Sequence, residues 1–272
     1  MPTLLTVALL AVAGCVSGSV ADGRRAMDSG AYEEAARHFR EAADASPDDP
    51  ERWYELGRAE MAAERPHRAR DAFERLAALR PRDPKPRLLI GFTWELQRKY
   101  DEALLAYEQA REIAPGDARP HRILGTRLLR WGQPEVAEPS LARATELDPE
   151  HAETWNALGL ARYHAGDVAG SERAFREGIR RHPDHRGVHL GLAALLVNAG
   201  RHADALAVYD AVVDGWPDFA AAHVGRALLL HELGRQDEAE EAFERAVSVA
   251  RDPRPYRARL DAYRRLRHRG GG

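Results

Sequence analysis

The sequence predicts an all-α protein built from stacked helix pairs. Three observations support this prediction: a self-similarity of period 34, a composition rich in charge and poor in aromatic residues, and apolar residues at helical spacing. Charged residues make up 31% of the chain and aromatic residues 7%, which suits solvated helices better than packed sheets. The net charge of −3 argues against a general nucleic-acid binder, because such proteins carry a basic excess.

The period is clearest in a column of prolines. They stand 34 residues apart, at Pro47, Pro81, Pro115, Pro149, Pro183 and Pro217. Three more columns keep this period, and in the fifth unit they are the small residues Gly159 and Ser171 and the bulky Phe175. Columns that stay in register this long predict seven units of equal length. Their ranges are 16–49, 50–83, 84–117, 118–151, 152–185, 186–219 and 220–253.

Each unit is predicted to hold two helices, which we call helix A and helix B. Small residues such as Gly159 and Ser171 let the two helices approach, and Phe175 fills the space beside them. The proline column ends helix B, because proline lacks an N–H and restricts the residue before it. Helix A usually ends at a glycine, which accepts a left-handed conformation cheaply. These glycines are Gly30, Gly132, Gly166, Gly200 and Gly234.

Single positions refine the helix boundaries. Pro66 and Pro134 stand where helix B begins, a place that tolerates proline. Pro139 falls inside helix B of the fourth unit, so it predicts either a kink or a later helix start. Residues 254–268 are predicted to form a final helix that caps the open end of the array, with residues 269–272 as a tail. Its arginines are expected to face water, and its inward residues are Tyr256, Leu260, Tyr263 and Leu266.

The stretch from Thr154 to Asp184 resembles the tetratricopeptide repeat, a helix–turn–helix unit of 34 residues. It carries that family's residues at Trp155, Leu158, Gly159, Phe175 and Pro183. The resemblance extends from about residue 16 to residue 253. It implies a right-handed α-solenoid of seven stacked pairs, with a concave groove lined by helix A. In the family, that groove takes extended peptides or a helix of a partner protein.

Residues at positions that match groove-lining places of the family are basic in the early units and apolar in the later ones. Arginine pairs with carboxylates through two parallel hydrogen bonds, so we expect the groove to hold an acidic, partly apolar segment of a partner protein. The alternative is that some of these arginines pair with glutamates of neighbouring repeats. The predicted groove residues are Arg58, Lys85, Phe92, Arg119, Arg122, Arg130, Asn156, Tyr163, Leu190, Val197 and Leu228.

The start of the chain carries a different signal. Leu4–Ala13 is a ten-residue apolar run, which suits the core of a secretory signal and is short for a membrane span. Val12–Cys15, with the sequence VAGC, resembles the lipobox of bacterial lipoproteins, in which the cysteine is lipidated after cleavage in front of it. We therefore expect a signal peptide over residues 1–14 and a lipid on Cys15, the only cysteine of the chain.

Because Val16 is not the aspartate that marks inner-membrane retention in that family, the expected location is the periplasmic face of the outer membrane. A lipobox followed by repeats resembles the layout of pilotin-type lipoproteins, which help secretin rings assemble, and this implies a role in envelope assembly. Two alternatives stay open, because no Lys or Arg precedes the apolar run and Arg24 and Arg25 follow it. The run could be a membrane anchor with the repeats in the cytoplasm, or an unexported helix; either suits an adaptor of a signalling or enzyme complex.

No set of residues in the sequence points to catalysis. The chain has no glycine-rich phosphate loop, no serine elbow and no cysteine–histidine pair, so we expect neither an enzyme nor a cofactor nor a small-molecule substrate. His182, His185 and His189 form the densest histidine cluster, but no thiol or carboxylate completes a zinc site. His189 shares the column of Trp155, so we expect it to belong to the core.

Overall fold

The structure is a computed structural model that describes residues 19–270 of the chain, and the side chains of residues 19–267. This part of the chain contains fifteen α-helices and no strand, which confirms the all-α prediction. The predicted signal peptide, its lipobox and Cys15 lie outside the described residues, as do the last two glycines.

The chain divides into two compact units, of which the first ends at Leu124 and the second begins at Gly125. The helices of the first unit are α1 (19–28), α2 (Tyr32–Ala45), α3 (Pro50–Ala62), α4 (Pro66–Leu79), α5 (Lys85–Leu96) and α6 (Tyr100–Ile113). The next helix, α7 (Ala118–Arg130), contains the division. The helices of the second unit are α8 (Pro134–Leu147), α9 (Ala152–His164), α10 (Val168–Arg181), α11 (Arg186–Asn198), α12 (His202–Gly215), α13 (Ala220–Glu232), α14 (Gln236–Val249) and α15 (Arg254–Gly270).

Within each unit, successive helices pack against each other. In the second unit α11 also contacts α9 and α13, so these three A helices form a continuous row. The cores are made of the small and bulky columns predicted from the sequence. Phe175 is 1% exposed, and Cβ atoms added to Gly159 and Gly191 would lie 2.5 and 2.4 Å from its ring. The ring of this B-helix residue therefore lies between two A helices, α9 and α11, and the missing side chains make the space that it fills.

The turns from helix A to helix B use the left-handed conformation in all seven repeats. The five predicted glycines have φ between 72° and 88°, which confirms their role. In the second and third repeats Glu64 (φ 57°) and Arg98 (φ 59°) adopt this conformation although they are not glycines. Their turns close with the same hydrogen bonds: the N–H of Arg65 donates to the Glu60 carbonyl at 2.8 Å, as Asp167 does to Arg162. The turn geometry is therefore set by the helix pair and imposes its conformation on whichever residue stands there.

Two predictions about prolines have different outcomes. Pro66 and Pro134 are the first residues of α4 and α8, as predicted. The expectation that Pro139 delays its helix is wrong, because α8 begins at Pro134 and contains Pro139 in its second turn.

The final helix, α15, is longer than the predicted range 254–268 and extends into the expected tail. Leu260 and Tyr263 are buried against α14, and Tyr256 is half-buried there, as expected. Leu266 is 63% exposed, so its predicted inward position is wrong. The adjacent contact with α14 is instead made by Arg267, which pairs with Glu240 at 2.7 Å.

The arginines of α15 do not all face water as predicted. Arg264 donates to Glu240 on α14 at 2.6 Å and also pairs with Glu244, while Arg267 pairs with Asp237 at 2.5 Å as well as with Glu240. The hydrogen bond from Arg264 is the main cause that lowers the pKa of the Glu240 carboxyl. These pairs join the final helix to the seventh repeat.

Candidate functional site

The A-helix row of the second unit, made of α9, α11 and α13, brings several predicted groove residues together. Tyr163 on α9 and Leu190 and Val197 on α11 are half-buried and pack at the edge of one apolar cluster. Leu228 on α13 is 52% exposed. The row therefore presents apolar side chains to solvent although the helices that carry them are packed on their other sides.

Asn156, the polar member of the predicted groove, is half-buried on α9. Its amide nitrogen lies near the first turn of α11, 3.9 Å from where a Cβ on Gly187 would stand. An amide at this position can donate and accept hydrogen bonds toward the main chain of an extended segment.

In the first unit, two of the predicted cations converge on one aromatic ring. The Nζ of Lys85 lies 3.9 Å from the centre of the Tyr54 ring, and the guanidinium of Arg58 lies 5.8 Å from it. Arg58 also pairs with Glu55 at 3.3 Å. Phe92, on α5, is 38% exposed. The structure therefore brings Arg58 and Lys85 together and holds Lys85 against the face of a ring.

The predicted arginines of α7 differ in what they contact. Arg119 pairs with Asp117 at 2.5 Å, and the Asp117 carboxylate also accepts the Arg119 N–H at 2.9 Å at the start of the helix. The side-chain hydrogen bond from Arg119 is the main reason that the pKa of Asp117 is lowered. Arg119 therefore pairs within the chain, but with an aspartate of the turn before its own helix rather than with the expected glutamate. Arg122 is half-buried and Arg130 is exposed.

The sequence also contained a signal whose meaning only the structure reveals. In five repeats a ring nitrogen lies 2.8–3.1 Å from the carbonyl oxygen of the proline six residues earlier. Indole and neutral imidazole both offer a ring N–H, so histidine replaces tryptophan in this column without loss of the bond. The residues are Trp53, His121, Trp155, His189 and His223.

His189 departs from the expectation that it belongs to the core. It is half-buried, and its ring meets the ring of Trp216 edge to face at 5.3 Å. Its Nε2 lies 2.8 Å from the Pro183 carbonyl oxygen, and His185 caps α11 by accepting the N–H of Val188 through Nδ1 at 3.3 Å. These two histidines therefore face different partners.

Lowering the pH is expected to destabilise the fold through His223. Burial is the main cause that lowers the pKa of this histidine below its usual 6.5; the nearby Arg245 and Arg226 lower it further, and the bond to Pro217 opposes them. The unfolded state then binds the proton more tightly, so stability is retained above about pH 6.5 and lost as the pH falls below it. Urea denaturation of the protein and of His223→Gln, at about pH 8 and about pH 5, measures this. An equal pH dependence of both proteins would contradict the assignment.

Among residues 19–270 there is no group of three or more histidines, cysteines or acidic residues arranged to hold a metal ion. The same part of the chain has no helix whose length and apolar character would let it cross a bilayer.

Comparison with known proteins agrees with this geometry. Family models described as tetratricopeptide repeat match residues 26–91, 124–186, 165–218 and 190–258. Among solved structures, a tetratricopeptide repeat protein from Parabacteroides merdae is 16% identical, with a TM-score of 0.62 over 92% of this chain and 99% of that one. The pilF protein of Pseudomonas aeruginosa is 18% identical, with a TM-score of 0.59 over 77% and 97%.

YrrB, described as a TPR protein with an unusual peptide-binding site, is 21% identical, with a TM-score of 0.56 over 69% of this chain and 96% of that one. No curated protein matches the chain. At these identities the structural matches show the fold, which is an all-α solenoid. The family models, which together match more than half of the sequence, show in addition that the chain belongs to the tetratricopeptide repeat family.

Proposed function

We propose that this chain is a non-catalytic scaffold that holds an extended or helical segment of a partner protein on the A-helix row of its second unit. The observation that supports the proposal is the apolar surface of α9, α11 and α13. Tyr163, Leu190, Val197 and Leu228 leave apolar atoms in water on helices that are otherwise packed. Apolar surface that packed helices leave in water favours binding of another protein segment.

The basic residues of the first unit offer a separate contact for acidic groups of a partner protein. Lys85 rests on the Tyr54 ring and forms no ion pair with any residue that the structure describes. A contact with an aromatic ring leaves the ammonium group able to form an ion pair with a carboxylate of a partner protein. Arg58 forms an ion pair with Glu55, an exposed pair of the kind that contributes little to stability and exchanges readily.

We further propose that the scaffold is anchored by lipid at Cys15 to the periplasmic face of the outer membrane, where it serves assembly of an envelope structure. The support is the VAGC motif at the end of an apolar run. Two or more acyl chains hold a protein stably on a bilayer, whereas a single chain is marginal. The second candidate is a cytosolic or inner-membrane adaptor, which Arg24 and Arg25 after the apolar run favour.

A photo-crosslinking amino acid at Leu228 is expected to capture a discrete partner in cells. The matched control places it at Val136, an equally exposed residue of the B helix α8. Val197→Glu should weaken capture from Leu228 by about tenfold, because it puts a charge on the apolar row, without shifting the helical melt. Equal capture from Val136, or capture that Val197→Glu leaves unchanged, would reject the A-helix row.

Radiolabelled palmitate tests the anchor independently. Cys15→Ala is expected to abolish incorporation, because a thiol is required for the thioether and the chain has no other cysteine. Ser17→Ala, two residues further on, should label like the unaltered protein. If Cys15→Ala labels as strongly as the unaltered protein, or if neither is labelled, the lipoprotein proposal is abandoned.

A further inference from the structure

A cavity of about 590 Å³ opens between the B helices α10 and α12 of the second unit. Its floor is formed by Leu192 and Leu196 of α11, which are almost completely buried. Ile179 of α10 and Val208 of α12 line its sides. This volume lies in the range of cavities that take ligands or anchoring side chains.

Two alanines of α12, Ala207 and Ala211, create this space. Both line the cavity and both are exposed. At the position of Ala207 the other six B helices carry Arg37, Asp71, Leu105, Pro139, Arg173 and Glu241. At the position of Ala211 they carry Glu41, Arg75, Gln109, Arg143, Glu177 and Arg245. The sixth repeat is thus the one repeat in which both long or bulky side chains are replaced by a methyl group.

The rim of the cavity carries positive charge, and at one position this charge is not found in the other repeats. Arg176, Arg180 and Arg201 line it, with Asp204 as the only carboxylate. The position of Arg180 holds no other cation in the seven repeats, because the others carry Asp44, Ala78, Glu112, Glu146, Asp214 and Ser248. Arg176 and Arg180 of the fifth repeat and Arg201 of the sixth thus place positive charge beside the apolar floor.

These arginines already have partners within the chain. Arg176 pairs with Glu172 at 2.8 Å, Arg180 with Glu177 at 2.6 Å, and Arg201 with both Glu172 and Asp204. The arginine side chains are 41–64% exposed, so the pairs lie in water and contribute little to stability. A carboxylate from outside can therefore join or replace the internal partner at small cost.

We propose that this cavity is a second docking site, which takes an amphipathic helix of a partner protein that is apolar along one side and acidic at its edges. The lining residues follow helical spacing on each helix: 176, 179 and 180 on α10, 192 and 196 on α11, and 207, 208 and 211 on α12. The apolar floor and its basic rim therefore run along helix axes, the arrangement that suits a helix lying in a groove. The site is separate from the A-helix row, which uses Leu190 and Val197 of α11.

The test uses fluorescein-labelled synthetic helical peptides and fluorescence anisotropy. The probe has leucines at i, i+4 and i+7 flanked by glutamates, and its matched control carries lysines in place of the glutamates. The double variant Ala207→Glu, Ala211→Arg restores the long side chains of other repeats and fills the cavity. Ala203→Arg, at an exposed alanine of the same helix that does not line the cavity, is the control variant. Thermal denaturation followed by circular dichroism verifies that both variants fold.

The acidic peptide is expected to bind the unaltered protein and Ala203→Arg equally, and to bind the double variant at least about tenfold more weakly. Arg180→Glu should weaken it as well, because it restores the acidic column. Equal binding of the lysine peptide, no loss in the double variant, or binding of dodecanoate without the acidic peptide would overturn the proposal. Leu190→Glu should leave this binding unchanged, so failure of the A-helix row and failure of this site are distinguishable.

Discussion

Phe175→Ala is expected to lower the free energy of unfolding of the second unit by about 3–5 kcal/mol. The ring is 1% exposed and lies against the backbone of both α9 and α11, where Gly159 and Gly191 leave no side chain to close the gap. The substitution therefore removes buried apolar surface and leaves a cavity. Because α9 and α11 are also packed against other helices, they cannot move together to fill it. Urea denaturation followed by circular dichroism measures the change.

The matched control for this variant is Val168→Ala. Val168 begins the same helix and is exposed, so its change should stay within about 0.5 kcal/mol. A loss below about 1 kcal/mol for Phe175→Ala would mean that the bulky column does not hold the helices together.

Gly57→Ala is expected to destabilise the first unit by about 1–3 kcal/mol, the usual cost of overpacking a core. Alanine is the better helix former by about 1 kcal/mol, so propensity alone predicts the opposite sign. The added Cβ would lie 2.2 Å from Cε1 of Phe73, and the ring, itself buried, has no space to retreat into. The midpoint of urea denaturation gives the sign directly.

Gly215→Ala makes the same substitution at the last residue of α12, where no heavy atom lies within 4 Å of the added Cβ. It should leave stability unchanged or raise it slightly. If Gly57→Ala stabilises as much as Gly215→Ala does, close approach of helices A and B is not what the glycine provides.

The repeat and its helices could be predicted because local and long-range requirements repeat at every period. The small residues at Gly57 and Gly159 indicate that a bulky side chain approaches, and the bulky column sixteen residues later supplies that side chain. Each unit thus supplies both halves of a contact within 34 residues, and seven copies separate the signal from chance.

Features set by tertiary contact were not predictable in the same way. Glu64 and Arg98 adopt the left-handed conformation because the helix pair requires it, and nothing in their own chemistry favours it. The predicted inward position of Leu266 is wrong, because the charged side chain of Arg267 makes the contact of α15 with α14 there.

The candidate site was only partly readable from the sequence. The apolar residues Leu190 and Val197 follow from the family's helix A pattern, and the structure brings them together. The pairing of Arg119 with Asp117 could not be predicted from the sequence, because it depends on the conformation of the turn before α7. The cavity beside Ala207 is visible in the sequence only after the structure shows which column faces outward between B helices.

The most direct test of the central claim is a methyl NMR titration of the protein with the partner segment that crosslinks at Leu228. The account predicts that the methyl signals of Leu190, Val197 and Leu228 shift in a saturable manner, while those of Val136 and Val168 on the B helices stay unchanged. Shifts confined to Val136 and Val168, with the A-helix row silent, would contradict it.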